Sequence, residues 1–159
     1  MPEARPHRGY YGIGVYHSKT ADNIGTLLRS AFAFRADFVF TVGRRYQQQA
    51  SDTTKGWRHM PLFHFDDIDD LVSALPYSCP LVGVELDERS SSLSQYTHRD
   101  RAIYLLGAED HGLSTEARER CHEIVQIPGP DYCLNVAVAG SIVMYDRWTK
   151  GVRLTAESR

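Results

Sequence analysis

The stretch RAIYLLGAEDHGLSTEARER, residues 101–120, decides how this chain is read. An apolar strand runs into a loop of glycine and carboxylate, G-x-E-x-x-G. Ser114 then caps a helix that carries Glu116 and Glu119. Gly107 brings backbone amides and carbonyls close to a bound molecule, Glu109 is an acceptor at the strand's end, and Gly112 permits a turn with positive φ. The same residues also read as an ordinary Gly-rich connection with a surface carboxylate. A P-loop is excluded, because no G-K-[ST] follows.

Outward from this segment the same alternation recurs. GIGVYHS (12–18) reads as a strand, and Asn23 to about Arg35 as a helix with Thr20 or Asp22 as its cap. DFVFTVG (37–43) reads as a buried strand, and residues 44–61 as a long polar loop, a length that usually signals function. DDIDDLVSAL (66–75) reads as a helix with its aspartates in the first turns, where the helix dipole favours them. PLVGVELD (80–87) and IVQIPG (124–129) contain strands, and Leu134 to about Lys150 forms the last helix. Strand–helix alternation predicts an α/β fold with a mostly parallel sheet flanked by helices. Ligands then belong beyond the carboxyl ends of the strands.

Composition narrows the classes. The chain has 159 residues, 42% apolar and 24% charged, with a net charge of −2. That is one ordinary domain, and it argues against a surface that is basic throughout. No apolar run is long enough to span a bilayer, and MPEARPHRGYYG lacks the apolar core of an export signal. Cys79, Cys121 and Cys133 are far apart and odd in number, so no disulfide framework and no metal site are expected. A cytoplasmic location and no membrane contact are expected. Basic residues nevertheless cluster: Arg44, Arg45, Lys55 and Arg58 in the polar loop, and Arg147, Lys150, Arg153 and Arg159 near the end.

Two further segments carry chemistry. In NIGTLLR (23–29), Ile24, Leu27, Leu28, Ala31 and Phe32 continue an apolar stripe, while Gly25 costs about 1 kcal/mol against alanine. Arg29 lies four residues on, on the same side. Either Arg29 is a solvated surface residue, or the missing side chain is clearance for a ligand and the guanidinium fork meets a phosphate. In IPGPDYCLNVAVAGSIVMYDRW (127–148) a stiff loop precedes a helix that is apolar nearly all round through Leu134, Val136, Val138, Ile142, Val143, Met144, Tyr145 and Trp148. Such a helix must be buried on all sides. Either the core or a second subunit buries it. Asn135, polar at its start, caps the helix or contacts a ligand.

Together the three segments resemble the SpoU/TrmH-type RNA 2′-O-ribose methyltransferases of the SPOUT superfamily. NIGTLLR fits N-x-G-x-x-x-R, GAEDHG fits G-x-E-x-x-G, and IPGPDYCLNVAVAG is similar to the third motif, keeping Ile127, Pro128, Leu134, Asn135, Val136, Val138 and Ala139. The match runs from about Gly12 to Lys150.

The resemblance implies a single methyltransferase domain over 1–159, with a short basic segment at 1–10 and a flexible tail from about 151. It also implies a deep C-terminal trefoil knot and a homodimer packed through the last helix. The implied cofactor is S-adenosylmethionine, leaving as S-adenosylhomocysteine, with no metal. Its site would be formed by Val84, Glu85, Leu86, Gly107, Ala108, Glu109, Ile127, Pro128, Cys133, Leu134 and Asn135. Arg29, Asn23, Glu109 and Asn135 are the implied catalytic residues, Asn23, Glu109 and Asn135 orienting Arg29 and the ribose. RNA, with tRNA favoured over rRNA, would be held by Arg44, Arg45, Lys55 and Arg58, helped by Arg5, His7 and Arg8, with Trp57 or Tyr46 stacking on a base.

Cys133 and Ala137 replace the motif's serines, and Gly129 stands where methionine is frequent. A non-catalytic RNA-binding module on the same fold is the alternative these departures leave. A Rossmann enzyme is the weaker one, because Gly9, Gly12 and Gly14 lie before or within the first strand instead of after it.

Overall fold

In β1 (Tyr10–Tyr16) successive side chains face opposite ways, and the sequence uses this. Tyr11, Ile13 and Val15 enter one core, while Gly12 and Gly14 lie on the other face. The computed structural model describes residues 9–47, 55–129 and 133–152. Arg5, His7, Arg8, Arg153, Arg159, the middle of the polar loop and Pro130–Tyr132 lie outside them.

The elements continue as α1 (Ala21–Ala33), β2 (Phe38–Val42), β3 (Leu62–Phe65), α2 (Ile68–Ser73), β4 (Leu81–Val84), β5 (Ser91–Ser92), β6 (Arg101–Leu106), α3 (Thr115–Arg120), β7 (Glu123–Gln126) and α4 (Val136–Lys150). The strands form one sheet in the order β3-β2-β1-β6-β4-β7-β5, and every named pair is parallel. The expected α/β architecture is therefore present. β3 and β5 were not expected. LFHF is short and half-buried on the sheet edge, and two serines carry no strand signal.

Helices cover both faces. On one, α1 and α4 close a core of Tyr11, Ile13, Val15, Leu27, Leu28, Tyr104, Leu106 and Val143. On the other, Phe40, Val42, Leu81, Ile103 and Leu105 pack with Ile68 and Leu71 of α2 and Ala117 of α3. Asp67 caps α2 by accepting from the Asp70 N–H, and Ser114 caps α3 by accepting from the Ala117 N–H, as the sequence predicts for α3. Thr20 is the α1 N-cap but makes no side-chain cap bond. That helix starts at Ala21, earlier than expected, and ends before Arg35, which takes φ +57°.

One chain buries one face of α4: Val136, Ala137, Gly140, Val143 and Met144 point inward, and Val138, Tyr145 and Trp148 are exposed. One expectation about this helix is corrected. Arg147 does not belong to a basic surface, being 2% exposed. Its guanidinium stacks over the Tyr11 ring (4.7 Å) and donates to the carbonyls of Arg99 (2.5 Å) and Asp100 (2.9 Å). Buried beside it, the Tyr104 hydroxyl bonds His98 Nδ1 (2.6 Å), and His98 Nε2 bonds Asp146 (2.8 Å), which also pairs with Lys150 (2.7 Å). This network anchors the end of α4 below the sheet, away from the strand ends that carry the site.

Candidate active site

Three sheet neighbours, β6, β4 and β7, run parallel, so the loops that leave their carboxyl ends fall together. They wall a cleft of about 540 Å³, within the roughly 300–1,000 Å³ usual for small-molecule sites. Val84, Glu85 and Leu86 line it after β4, Gly107, Ala108 and Glu109 after β6, and Ile127 after β7, with Cys133 and Leu134 closing it before α4. All of these were expected at one site from sequence. Of the same set, Pro128 is exposed and does not line the cleft, and Asn135 turns to α1 and α4.

The loop after β6 closes on itself. The Gly112 N–H donates to the Ala108 carbonyl (2.9 Å), and the two residues form an antiparallel bridge. A Cβ on Gly107 would stand 2.5 Å from the Gly112 carbonyl carbon. Glycine is required at 107 for this closure, and its backbone also lines the cleft. Gly112 has φ +62°, as expected.

A polar cluster borders the cleft. Asn23, in the first turn of α1, donates through Nδ2 to Glu109 Oε1. Asn23 Oδ1 accepts from Asn135 Nδ2 at 2.9 Å. Asn135 Oδ1 accepts from the N–H groups of Ala137 (2.9 Å) and Val138 (3.3 Å), so the residue also caps α4. Glu109 further receives the Thr20 hydroxyl (3.4 Å) and the Lys19 N–H (3.5 Å). The Lys19 ammonium bonds Asp110 and holds that carboxyl below its ordinary range. Neither Lys19 nor Thr20, which the sequence offers only as a helix cap, was expected at the site. Their only signal is their position at the carboxyl end of β1, next to β6 in the sheet.

Arg29 is exposed on α1 and makes no hydrogen bond or ion pair with a described residue. The structure joins Asn23, Glu109 and Asn135 to one another and not to Arg29. The clearance at Gly25 is real: a Cβ there would meet only the Tyr46 hydroxyl, at 3.9 Å. Arg44 and Arg45 are exposed and, with Lys19, Thr20 and Tyr46, line a smaller cavity of about 120 Å³ beside the start of α1. Lys55 is exposed, and Arg58 lies over the Trp57 ring at 5.2 Å. Trp57 also packs against the core, so it is held within the protein on more than one side. Among the described residues no group of three His, Cys, Asp or Glu could hold a metal, and no helix is long and apolar enough to cross a membrane.

The family model of the SpoU rRNA Methylase family matches residues 12–145. An uncharacterized tRNA/rRNA methyltransferase of Mycobacterium sp. (strain KMS) is 30% identical over 132 residues, 77% of this chain and 41% of that protein. The chain thus spans about two-fifths of that relative's length. Among solved structures, one concerned with the 2-OH methylation of C/U34 on tRNA superposes with a TM-score of 0.77 at 23% identity, covering 90% of this chain and 97% of the other. An AdoMet-bound rRNA methyltransferase from Sinorhizobium meliloti superposes with a TM-score of 0.81 at 19% identity, over 93% and 61%. At these identities the structures share the fold.

Proposed function

The chain belongs to the SpoU rRNA methylase family, and on that premise we propose that it is an S-adenosylmethionine-dependent RNA methyltransferase acting on a ribose 2′-hydroxyl, with tRNA the favoured substrate. The observation that carries this reading is the meeting of the three strand-end loops in one cleft beside the Asn23–Glu109–Asn135 cluster. The near-complete mutual coverage with the structure concerned with 2-OH methylation on tRNA supports the choice of hydroxyl and RNA. Residues 1–159 are read as one domain, its C-terminal part threaded as the family's trefoil knot.

The cleft suits S-adenosylmethionine. It has the volume of a small-molecule site, apolar walls from Leu86, Ile127 and Leu134, and loop backbone at Gly107 and Ala108. Val84–Leu86, Gly107–Glu109, Ile127, Cys133 and Leu134 would hold it. Bound there, the cofactor supplies an activated methyl group.

The chain's own residues align and charge the acceptor. Glu109, Asn23 and Asn135 form a pre-bonded frame of carboxylate and amide groups that orients the ribose, and alignment alone supplies several kcal/mol of barrier reduction. Arg29 carries a permanent positive charge. It binds the phosphate beside the reacting ribose and stabilises the developing alkoxide. A phosphate oxygen held this way is the acceptor for the hydroxyl proton. Arg44, Arg45, Lys55 and Arg58 hold the RNA backbone. The exposed face of α4, with Val138 (47% exposed) and Tyr145 (58%) two turns apart, supports a homodimer through that helix.

The test is titration with S-adenosylmethionine, followed by labelling of total RNA and mapping of the modified nucleoside. Micromolar to sub-millimolar binding and label on a ribose are expected. No binding at millimolar cofactor, or label on a base, overturns the reading; label in rRNA moves the substrate. Arg29→Ala should lower transfer by about 10²–10³-fold with cofactor affinity retained, and near-normal turnover removes Arg29 from the mechanism. Reversing Arg44 and Arg45 to Glu should flatten the salt dependence of RNA binding; an unchanged slope moves the RNA surface elsewhere.

A further inference from the structure

Each wall of the cleft belongs to a different strand, and one residue ties the three together. Glu85 directly follows β4. Its backbone N–H donates to the carbonyl of Val125, in β7, at 3.0 Å. Its Oε2 accepts from the Leu113 N–H at 2.8 Å, on the far side of the loop that follows β6. Its Oε1 accepts from the N–H of Leu86 at 2.9 Å, which turns its own loop. The carboxylate also occupies the space over Gly112, where any Cβ would overlap it. Glycine at 112 is therefore required twice, for φ +62° and for this carboxylate.

We propose that Glu85 is a positioning residue for the methyl-transfer site. Its carboxylate clamps the loop of Gly107–Leu113, and so sets both the cleft wall and the height at which Glu109 meets Asn23. This rests on the proposed function above, and it changes the role the family resemblance implies for Glu85. Each carboxylate oxygen is engaged by a backbone donor within the protein, and the charged acceptor makes those bonds stronger than neutral ones. Glu85 acts on the cofactor through the loop.

Glu85→Gln tests this with little change of shape. A glutamine offers one acceptor oxygen, and its NH2 group must face the other backbone N–H. In the cofactor-free variant the Leu113 or Leu86 amide should exchange with solvent at least tenfold faster than in the wild type. Affinity for S-adenosylmethionine and for S-adenosylhomocysteine should fall by about tenfold together. Glu85→Asp, which keeps the charge but is too short to span both loops, should behave the same way and serves if the glutamine variant does not fold. Lost cofactor affinity with unchanged amide exchange in the free protein overturns the clamp and makes Glu85 a direct ligand. Unchanged exchange and unchanged affinity overturn it outright. A wild type that binds neither cofactor nor product defeats the enzyme reading instead, and the exchange rates alone then judge the clamp.

Discussion

Asn135 divides its polar atoms between two tasks. Its oxygen caps α4, and its amide nitrogen reaches Asn23 and through it Glu109. Asn135→Asp separates the tasks. Aspartate caps as well as asparagine, so stability should stay within about 0.5 kcal/mol of wild type, while methyl transfer should fall at least tenfold, because a second carboxylate then faces Asn23 near Glu109. Urea midpoints and transfer rates measured together check this, and an unchanged rate would reduce Asn135 to a cap. Sequence reading allowed Asn135 to be a cap or a site residue. The structure makes it a cap bonded to Asn23, a partner at a separation of 112 positions that no local pattern encodes. Arg147 shows the opposite limit. By sequence it is one more basic residue near the chain's end, yet it is buried between two tyrosine rings and two carbonyls.

Elements form where side-chain pattern and backbone agree, and β1 shows how closely. Gly12 pairs with Phe38 and Gly14 with Phe40 on the neighbouring strand. In each pair the phenyl ring lies where a Cβ on β1 would be. The glycines are thus space for two aromatic rings in the second core, which explains why they sit inside a strand. Gly14→Ala should destabilise the fold by about 1–3 kcal/mol, since it also strikes the Phe40 carbonyl. A urea midpoint equal to wild type would mean that β2 yields freely. The longer strands and α4 were legible because their apolar residues repeat at strand or helix period. β3 and β5 were not, because a short edge strand is defined by the partner it pairs with. The apolar outward face of α4 has a related origin: a helix apolar all round says that burial is needed, not that one protomer provides it.

At the scale of the whole molecule, the His98 network fastens the chain's last helix to the opposite end of the sheet from the cleft. Burial outweighs the Asp146 bond and presses His98 down to about 4 from 6.5. Arg147 and Lys150 add to the downward shift. Neutral His98 accepts from Tyr104 and donates to Asp146, whereas the unfolded chain takes up a proton below pH 6.5. Stability from this group is therefore full above about pH 6.5 and lost as pH falls toward 4, by about 3 kcal/mol in all. Denaturant midpoints of wild type and His98→Gln across that range check the sign, and parallel curves would exclude His98. From sequence alone came the α/β class, the three motifs, and the membership of the loops in one site, because period, turn chemistry and motif spacing are local properties of the chain. Only the tertiary structure decided which strands are neighbours. Parallel pairing of β6 with β1 and β4, and of β4 with β7, sets Glu109 beside Asn23 and Glu85 against Gly112. Contacts of that kind are set by the order of strands in the sheet, which local spacing along the chain does not carry.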